Sequence, residues 1–309
     1  MNARRVVRRV VTVGASLVVV LALAAAGLAS AWLAGIRIPV ASGDVWFAVE
    51  KVARADVARD PSAPFFIALI GNDERPGVSG QRGDALHVLG VNPALGQATI
   101  VNVPRDMCVD VPGAGFTKIN TAHTVGGPGL QADVLGNLLG VDVSYAISVN
   151  FSGFQHLVDG VGGVTVDVPT AHDDPQSGAS FQPGVTKMNG VQALAFSRNR
   201  YDFPSGDLAR TTNQGHLIWS AFRELHETAD SPTGQMRLLA LLGRHAQLDG
   251  VGLNDLYHLG RLAFRMDPAK VRNVTGSTGG GGCSGGLAPT ADARSLYADF
   301  ADDAVLQQH

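Results

Sequence analysis

Residues 65–105 read FFIALIGNDERPGVSGQRGDALHVLGVNPALGQATIVNVPR, and this stretch decides the fold. Phe65 to Ile70 is a short apolar run that stops at Gly71, the pattern of a strand buried on both faces. Ala85 to Val91 and Thr99 to Val103 have the same character. Asn92-Pro93-Ala94-Leu95-Gly96 between them is a turn signal. Each buried run is bordered by charge where core packing would not choose it. Gly71-Asn72-Asp73-Glu74-Arg75 follows the first run, Arg82-Gly83-Asp84 precedes the second, and Pro104-Arg105-Asp106 follows the third.

Outward from this centre, the C-terminal side alternates further. A helix opens at Pro128 and runs to 139. A strand is expected over 144–149, a helix over 151–161 and a strand over 163–168. A polar loop fills 170–186. Helical patterns follow at 189–198, 206–228, 233–247 and 253–265. A strand near 271–274, a Gly-rich loop at 276–286 and a helix from Ala291 finish the chain. The expected class is α/β: a central mixed sheet flanked by helices on both faces. No internal repeat is visible.

The N-terminal side has a different logic. Arg4, Arg5, Arg8 and Arg9 precede an uncharged run from Val10 to Ile36, longer than the ~20 residues a membrane span needs. The positive-inside rule places residues 1–9 in the cytoplasm and the rest outside. A cleaved signal peptide is the rival reading, with Ala24–Ala26 or Ala29–Ala31 suiting a peptidase, but its apolar region is typically shorter. A twin-arginine signal lacks the rest of its motif. The organisation expected is therefore a cytoplasmic tail (1–9), a signal anchor (10–36), a stalk (37–64) and an extracytoplasmic domain (65–309).

The formal net charge is −3, and residues 10–309 carry −7 once the four leading arginines are set aside. An acidic outer domain is a poor partner for nucleic acid, whose phosphates demand a basic surface. Cys108 and Cys283 are the two cysteines. Outside the cytoplasm they can form a disulfide, or remain two separate buried thiols.

The ends of strands in α/β sheets are where ligands bind, so the charges around the three buried runs are candidates for one rim. A fourth segment carries Arg198, Arg200, Asp207, Arg210 and Gln214, the last three at spacing i, i+3 and i+7 on one helical face. Guanidinium groups clamp phosphate oxygens, and carboxylates hold Mg²⁺ that shares its remaining positions with phosphate and water. This composition points to a pyrophosphate–metal site, weighed against plain surface ion pairs. Zinc-helix, CxxC, phosphate-loop and nucleophile-elbow patterns are absent from the sequence.

Taken in order, IALIGNDERPG, QRGDALHVLGVN, ATIVNVPRDMCVDVPG, TKINTAHTVGGP, FSGFQHLVDGVGGVTVDVP, MNGVQALAFSRNR and SGDLARTTNQ resemble the LytR–CpsA–Psr domain over residues 65–225. The resemblance implies an α–β–α sandwich behind one membrane span. It also implies transfer of a glycopolymer, as glycosyl-phosphate, from a polyprenyl pyrophosphate carrier to peptidoglycan. Carried over by position, Asp73 and Asp84 match the Mg²⁺-associated carboxylates. Arg82, Arg105, Arg198, Arg200 and Arg210 match the pyrophosphate-binding arginines, and Lys118 the lysine of the KIN motif. Asp207 and Gln214 fall on the remaining polar positions. Within this set Arg105, Asp207 and Arg210 are the expected catalytic residues, and Arg82, Lys118, Arg198, Arg200 and Gln214 the expected substrate-binding ones. The resemblance further implies an apolar channel for the polyprenyl chain, with 151–161 and 214–222 as candidate walls. Three positions depart from the family pattern: Asn213 stands for an arginine, Asn72 for a small residue and His123 for an aromatic. A polyprenyl-pyrophosphate hydrolase and a non-catalytic lipid-binding envelope protein are the alternatives that share these residues.

Overall fold

The computed structural model describes residues 45, 47–52, 60, 62–73, 82–200, 206–229, 245–252, 255, 259 and 266–307. The apolar run 10–36 and most of the helical stretches expected at 233–247 and 253–265 lie outside these. Among the described residues no helix is long and apolar enough to cross a membrane.

In chain order the elements begin with strands Phe47–Lys51 (β1), Phe65–Asn72 (β2), Gly83–Asn92 (β3) and Gln97–Val103 (β4). A small hairpin follows, Cys108–Val111 (β5) with Gly115–Lys118 (β6), then helix Thr121–Leu139 (α1), strand Val143–Asn150 (β7) and helix Phe151–Gly160 (α2). Four short strands come next: Val164–Val168 (β8), His172–Asp174 (β9), Ala179–Phe181 (β10) and Gly184–Met188 (β11). Helices Gly190–Arg198 (α3) and Asp207–Ala229 (α4) precede Ala246–Asp249 (β12) and Val271–Thr275 (β13). Thr278–Gly280 (β14), Leu287–Pro289 (β15) and helix Ala291–Asp303 (α5) close the chain.

Seven strands form the central sheet in the order β12-β1-β7-β2-β3-β4-β13. It is mixed: β2, β3 and β4 are mutually antiparallel, whereas β2–β7, β4–β13 and β1–β12 run parallel. Strand alternation assigns the two faces. Phe66, Ala68, Ile70, Leu86, Val88, Val101 and Val103 point to one face, where they pack with Leu135 and Leu139 of α1 and Tyr297 and Phe300 of α5. Phe65, Ile67, Val91, Ala98 and Tyr145 point to the other, where Phe222 of α4 joins them. A third core, around Val164, Val166, Phe181, Met188 and Phe196, binds the β8–β11 region to α3 and to Leu217 of α4. The sheet is thus covered on both faces, as the sequence pattern implies.

Three expectations change. Phe47–Lys51, expected within the stalk, is a strand hydrogen-bonded to β7, so the folded domain includes residues ahead of Phe65. The 170–186 segment, expected as loop, holds β9, β10 and the start of β11. Residues 246 and 247, expected at the end of a helix, open β12. The strand expected at 163–168 is present and pairs antiparallel with β11, outside the central sheet. The helix expected from Pro128 is regular from that point. Its preceding turn is broken at Gly126 and Gly127, where Gly127 has φ +68°, open to glycine without strain.

A buried polar chain joins the sheet to α4. His87 Nδ1 lies 2.7 Å from Asn102 Oδ1. Asn102 Nδ2 donates to Asn273 Oδ1 at 2.8 Å and to Thr275 Oγ1 at 3.0 Å. Thr275 Oγ1 in turn meets Thr212 Oγ1 of α4 at 3.1 Å. Because an amide oxygen only accepts, His87 Nδ1 carries the proton. Gly215 lets the helix sit on this chain, since a Cβ there would collide with Asn102 and Asn273. Burial drives the His87 pKa down to about 4 despite the Asn102 contact.

The unfolded chain binds a proton at His87 below about pH 6.5, and the folded chain resists doing so until about pH 4. The stability held by neutral His87 is therefore present above that window and lost as pH falls through it, by roughly 3 kcal/mol in all. Denaturant melts of wild type and His87→Gln between pH 7.5 and 4 should converge by that order as pH falls. Parallel curves would contradict the assignment.

Candidate active site

The antiparallel register brings three charged segments to one end of the sheet. Leu86 pairs with Val103, so Asp84 and Arg105 project from neighbouring strand ends. Asn72 pairs with Gly83, which puts Asp73 at the same rim. Helix α4 begins there too, and Arg210 Nη2 donates to the Asp84 backbone carbonyl at 3.3 Å.

Arg105 is the hub. Its Nη1 bonds Asp84 Oδ1 at 2.5 Å, and its Nε lies 3.5 Å from Asp207 Oδ1. The same Asp207 oxygen takes Arg210 Nη2 at 2.8 Å. The side chains of Asp84, Arg105 and Asp207 are 21%, 20% and 18% exposed, and that of Arg210 only 8%. Burial alone would lower the Arg105 pKa. The Asp84 hydrogen bond and the charges of Asp207, Asp84 and Asp106 outweigh it, and the pKa is raised. Arg210 goes the other way: burial lowers its pKa, with Arg105 and Arg200 adding repulsion that Asp207 and Asp84 do not fully offset. An anion entering here relieves that repulsion.

Beside this cluster lies a cleft of about 500 Å³ lined by Arg82, Arg105, Asp106, Thr117, Lys118, Asn120, Thr121 and Arg200. Lys118 Nζ is 2.9 Å from Asp106 Oδ1. The backbone N–H of Asn120 donates to the Arg105 carbonyl at 3.3 Å, tying the start of α1 to the arginine loop. Arg200 is held by its neighbour: Asn199 is fully buried, and its Nδ2 lies 2.7 Å from His172 Nδ1.

Arg82, Arg105, Lys118 and Arg200 thus share one cleft, with Asp84, Asp207 and Arg210 directly behind Arg105. Two expected residues sit elsewhere. Arg198 is exposed, with its guanidinium 5.1 Å from the Phe151 ring centroid, and is not among the cleft-lining side chains. Gln214 is buried and donates to the Ser197 carbonyl at 3.1 Å, so it joins α4 to the end of α3. His123 is buried, and its backbone N–H donates to Gln131 Oε1. The candidate channel walls contribute Val158 and Leu217 to one apolar core and Phe222 to another. Sequence reasoning did not assign Asp106, Thr117, Asn120 or Thr121. Asp106 alone carried a signal, as the charged neighbour of Arg105.

Among the described residues, no three His, Cys, Asp or Glu side chains converge as a self-sufficient metal cage. Asp73 and Asp84, on adjacent strand ends, offer the one or two carboxylates with which Mg²⁺ binds when phosphate oxygens complete its shell. The donor set fits a cation that arrives with a phosphate ligand.

The LytR_cpsA_psr family model matches residues 47–275, most of the chain. The protein belongs to the LytR–CpsA–Psr family. It is 38% identical over 160 residues to the Bacillus licheniformis polyisoprenyl-teichoic acid–peptidoglycan teichoic acid transferase TagU, covering 52% of this chain and 51% of that protein. Bacillus subtilis TagU is 35% identical over 173 residues, covering 55% and 56%. The chain therefore spans about half the length of these curated relatives. Among solved structures, a LytR-Csp2A-Psr enzyme from Actinomyces oris superposes with a TM-score of 0.65 at 22% identity, covering 85% of this chain and 96% of that one. The structure of TagT bound to LIIa-WTA gives 0.60 at 20% identity, covering 84% and 96%. These likenesses establish the fold.

Cys108 and Cys283 are disulfide-bonded, with Cα atoms 5.8 Å apart. The bridge closes a 175-residue separation and ties β5 to the Gly-rich loop next to the cleft.

Asp207→Asn removes the charge shared by Arg105 and Arg210. Stability should fall by about 1–3 kcal/mol, and added pyrophosphate should shrink the gap in melting temperature by supplying negative charge. A gap that pyrophosphate leaves unchanged would show that the two arginines do not face an anion.

Proposed function

We propose that this chain transfers a glycosyl-phosphate from a polyprenyl pyrophosphate carrier to a peptidoglycan hydroxyl. The observation that carries the reading is the half-buried Arg105–Asp207–Arg210 cluster opening into a cleft shared with Arg82 and Arg200. Three arginines lining one cleft suit the several negative charges of a pyrophosphate. Family membership and the teichoic acid transferase activity for which the TagU relatives are named support the same chemistry.

In this reading Arg82, Arg105 and Arg200 bind the pyrophosphate oxygens, with Lys118 beside them. Asp207 fixes the planes of Arg105 and Arg210, so positive charge is in place before the ligand arrives and needs no reorganisation during transfer. The acceptor hydroxyl oxygen bonds to the sugar-side phosphorus, the bond from that phosphorus to the bridging oxygen breaks, and polyprenyl phosphate leaves with the bonding electron pair, while the hydroxyl proton passes to solvent water in the open cleft. Asp73 and Asp84 would hold Mg²⁺, which supplies charge neutralisation on the leaving phosphate when bound. Residues 10–36 would anchor the chain in the membrane with the cleft on the outer side, where both the lipid carrier and peptidoglycan are found.

The test uses full-length protein in detergent with a labelled saccharide on polyprenyl pyrophosphate, Mg²⁺ and purified peptidoglycan. Label should become sacculus-bound as polyprenyl phosphate is released. Arg105→Ala should reduce this by about 10²–10³-fold, the usual effect of losing a preorganised charge-stabilising donor. Soluble label formed equally well without peptidoglycan would convict the protein as a hydrolase. Retained lipid with no turnover would leave it a binding protein.

A further inference from the structure

The cleft lining is of two chemical kinds. Arg82, Arg105 and Arg200 supply cationic groups. Asp106 pairs with Lys118 at 2.9 Å, and Thr117, Asn120 and Thr121 add hydroxyls and an amide. Hydroxyls and an amide read a ligand's own hydroxyl and amide groups rather than its charge.

Strand β6 contributes Thr117 and Lys118 to this lining. The residue before Thr117 is Phe116, which is 55% exposed. Its ring leans on the Gly-rich loop: a Cβ on Gly282 would stand 3.2 Å from Phe116 Cε1. Gly279, Gly280, Gly281 and Gly282 put no side chains on this surface. Loop and hairpin form one braced unit. The Cys108–Cys283 bridge joins them, Leu287 N–H donates to the Asp106 carbonyl at 2.9 Å, and Gly281 N–H donates to the Gly286 carbonyl at 2.8 Å. Phe116 is therefore an aromatic face on a stiff support, on the same side of β6 as the cleft-lining Lys118.

We propose that Phe116 and the adjoining glycine loop form a subsite for the acceptor glycan strand, which enters the cleft past Thr117, Asn120 and Thr121. This inference rests on the transferase reading. A pyranose ring offers a CH-lined face to an aromatic ring, and its hydroxyl and acetamido edges suit backbone amides and short polar side chains. The charge pattern argues against a membrane surface as the occupant. Asp110 stands opposite Phe116 across the hairpin and puts a carboxylate, not a cation, beside the exposed ring, where a membrane-binding aromatic is served by lysine or arginine. The donor's pyrophosphate takes the arginines, which leaves the hydroxyl and amide groups for the acceptor.

The experiment titrates full-length protein in detergent with a β-1,4-linked N-acetylglucosamine tetrasaccharide, and separately with inorganic pyrophosphate plus Mg²⁺. Phe116→Ala should weaken the tetrasaccharide at least tenfold and leave pyrophosphate affinity within twofold. Phe116→Trp should retain the sugar, and saturating pyrophosphate should not displace it. Wild type that fails to bind the tetrasaccharide, or Phe116→Ala that binds it equally well, overturns the subsite. If Phe116→Ala instead changes co-sedimentation with anionic vesicles or self-association, the face belongs to a membrane or a second copy, and the inference fails. Loss of pyrophosphate binding by the wild type would sink the transferase reading itself, separately from the sugar result.

Discussion

The site turns on one guanidinium held between two carboxylates from different elements. Arg105 follows β4, Asp84 opens β3 and Asp207 opens α4. The strand pair would exist without this contact, because Leu86, Val88, Val101 and Val103 bury its apolar face. What the contact adds is the placement of the α4 N-terminus at the rim of the sheet. Partly buried charges of this kind are strongly destabilising when one partner is lost. The geometry is thus over-determined, and the cleft inherits its rigidity.

The buried chain from His87 through Asn102 to Thr212 performs the same task one layer deeper. Asn102 lies three residues before Arg105, His87 three after Asp84, and Thr212 two after Arg210. Its hydrogen bonds specify the register in which α4 lies across the sheet, and Gly215 allows the helix to approach closely enough to make them. An apolar interface would tolerate sliding, whereas a directional polar one does not. On the opposite side of the cleft the disulfide and the Leu287–Asp106 hydrogen bond play a comparable part for Asp106 and Lys118.

Much of this was legible in the sequence where burial writes a simple pattern. β2, β3 and β4 are continuous apolar runs, and the charges at their ends fall on one rim because antiparallel pairing dictates it. The regular part of α1 begins at Pro128, as its sequence indicates. β1 was not legible: in FAVEK only Phe47 and Val49 are buried, a signal too short to separate from a stalk. β9 to β11 are short and polar-flanked, and their pairing is decided by a core assembled from distant residues such as Phe196 and Leu217. In the site, arginines and aspartates announced themselves. Thr117, Asn120 and Thr121 did not, because the same residue types serve in ordinary turns and helix starts. Arg198 carries the same sequence signal as Arg200, yet it ends α3 on the outer side against Phe151, a distinction set by the helix terminus and invisible in spacing alone.

On this reading the arginine cluster and its cleft hold a pyrophosphate. A crystal structure of the folded domain with geranyl pyrophosphate and Mg²⁺ decides this. Pyrophosphate oxygens are expected within hydrogen-bond distance of Arg82, Arg105 and Arg200, with the cation beside Asp73 and Asp84. A pyrophosphate seated away from Arg105, with the Asp84–Arg105–Asp207–Arg210 cluster unchanged and solvent in the cleft, would contradict it.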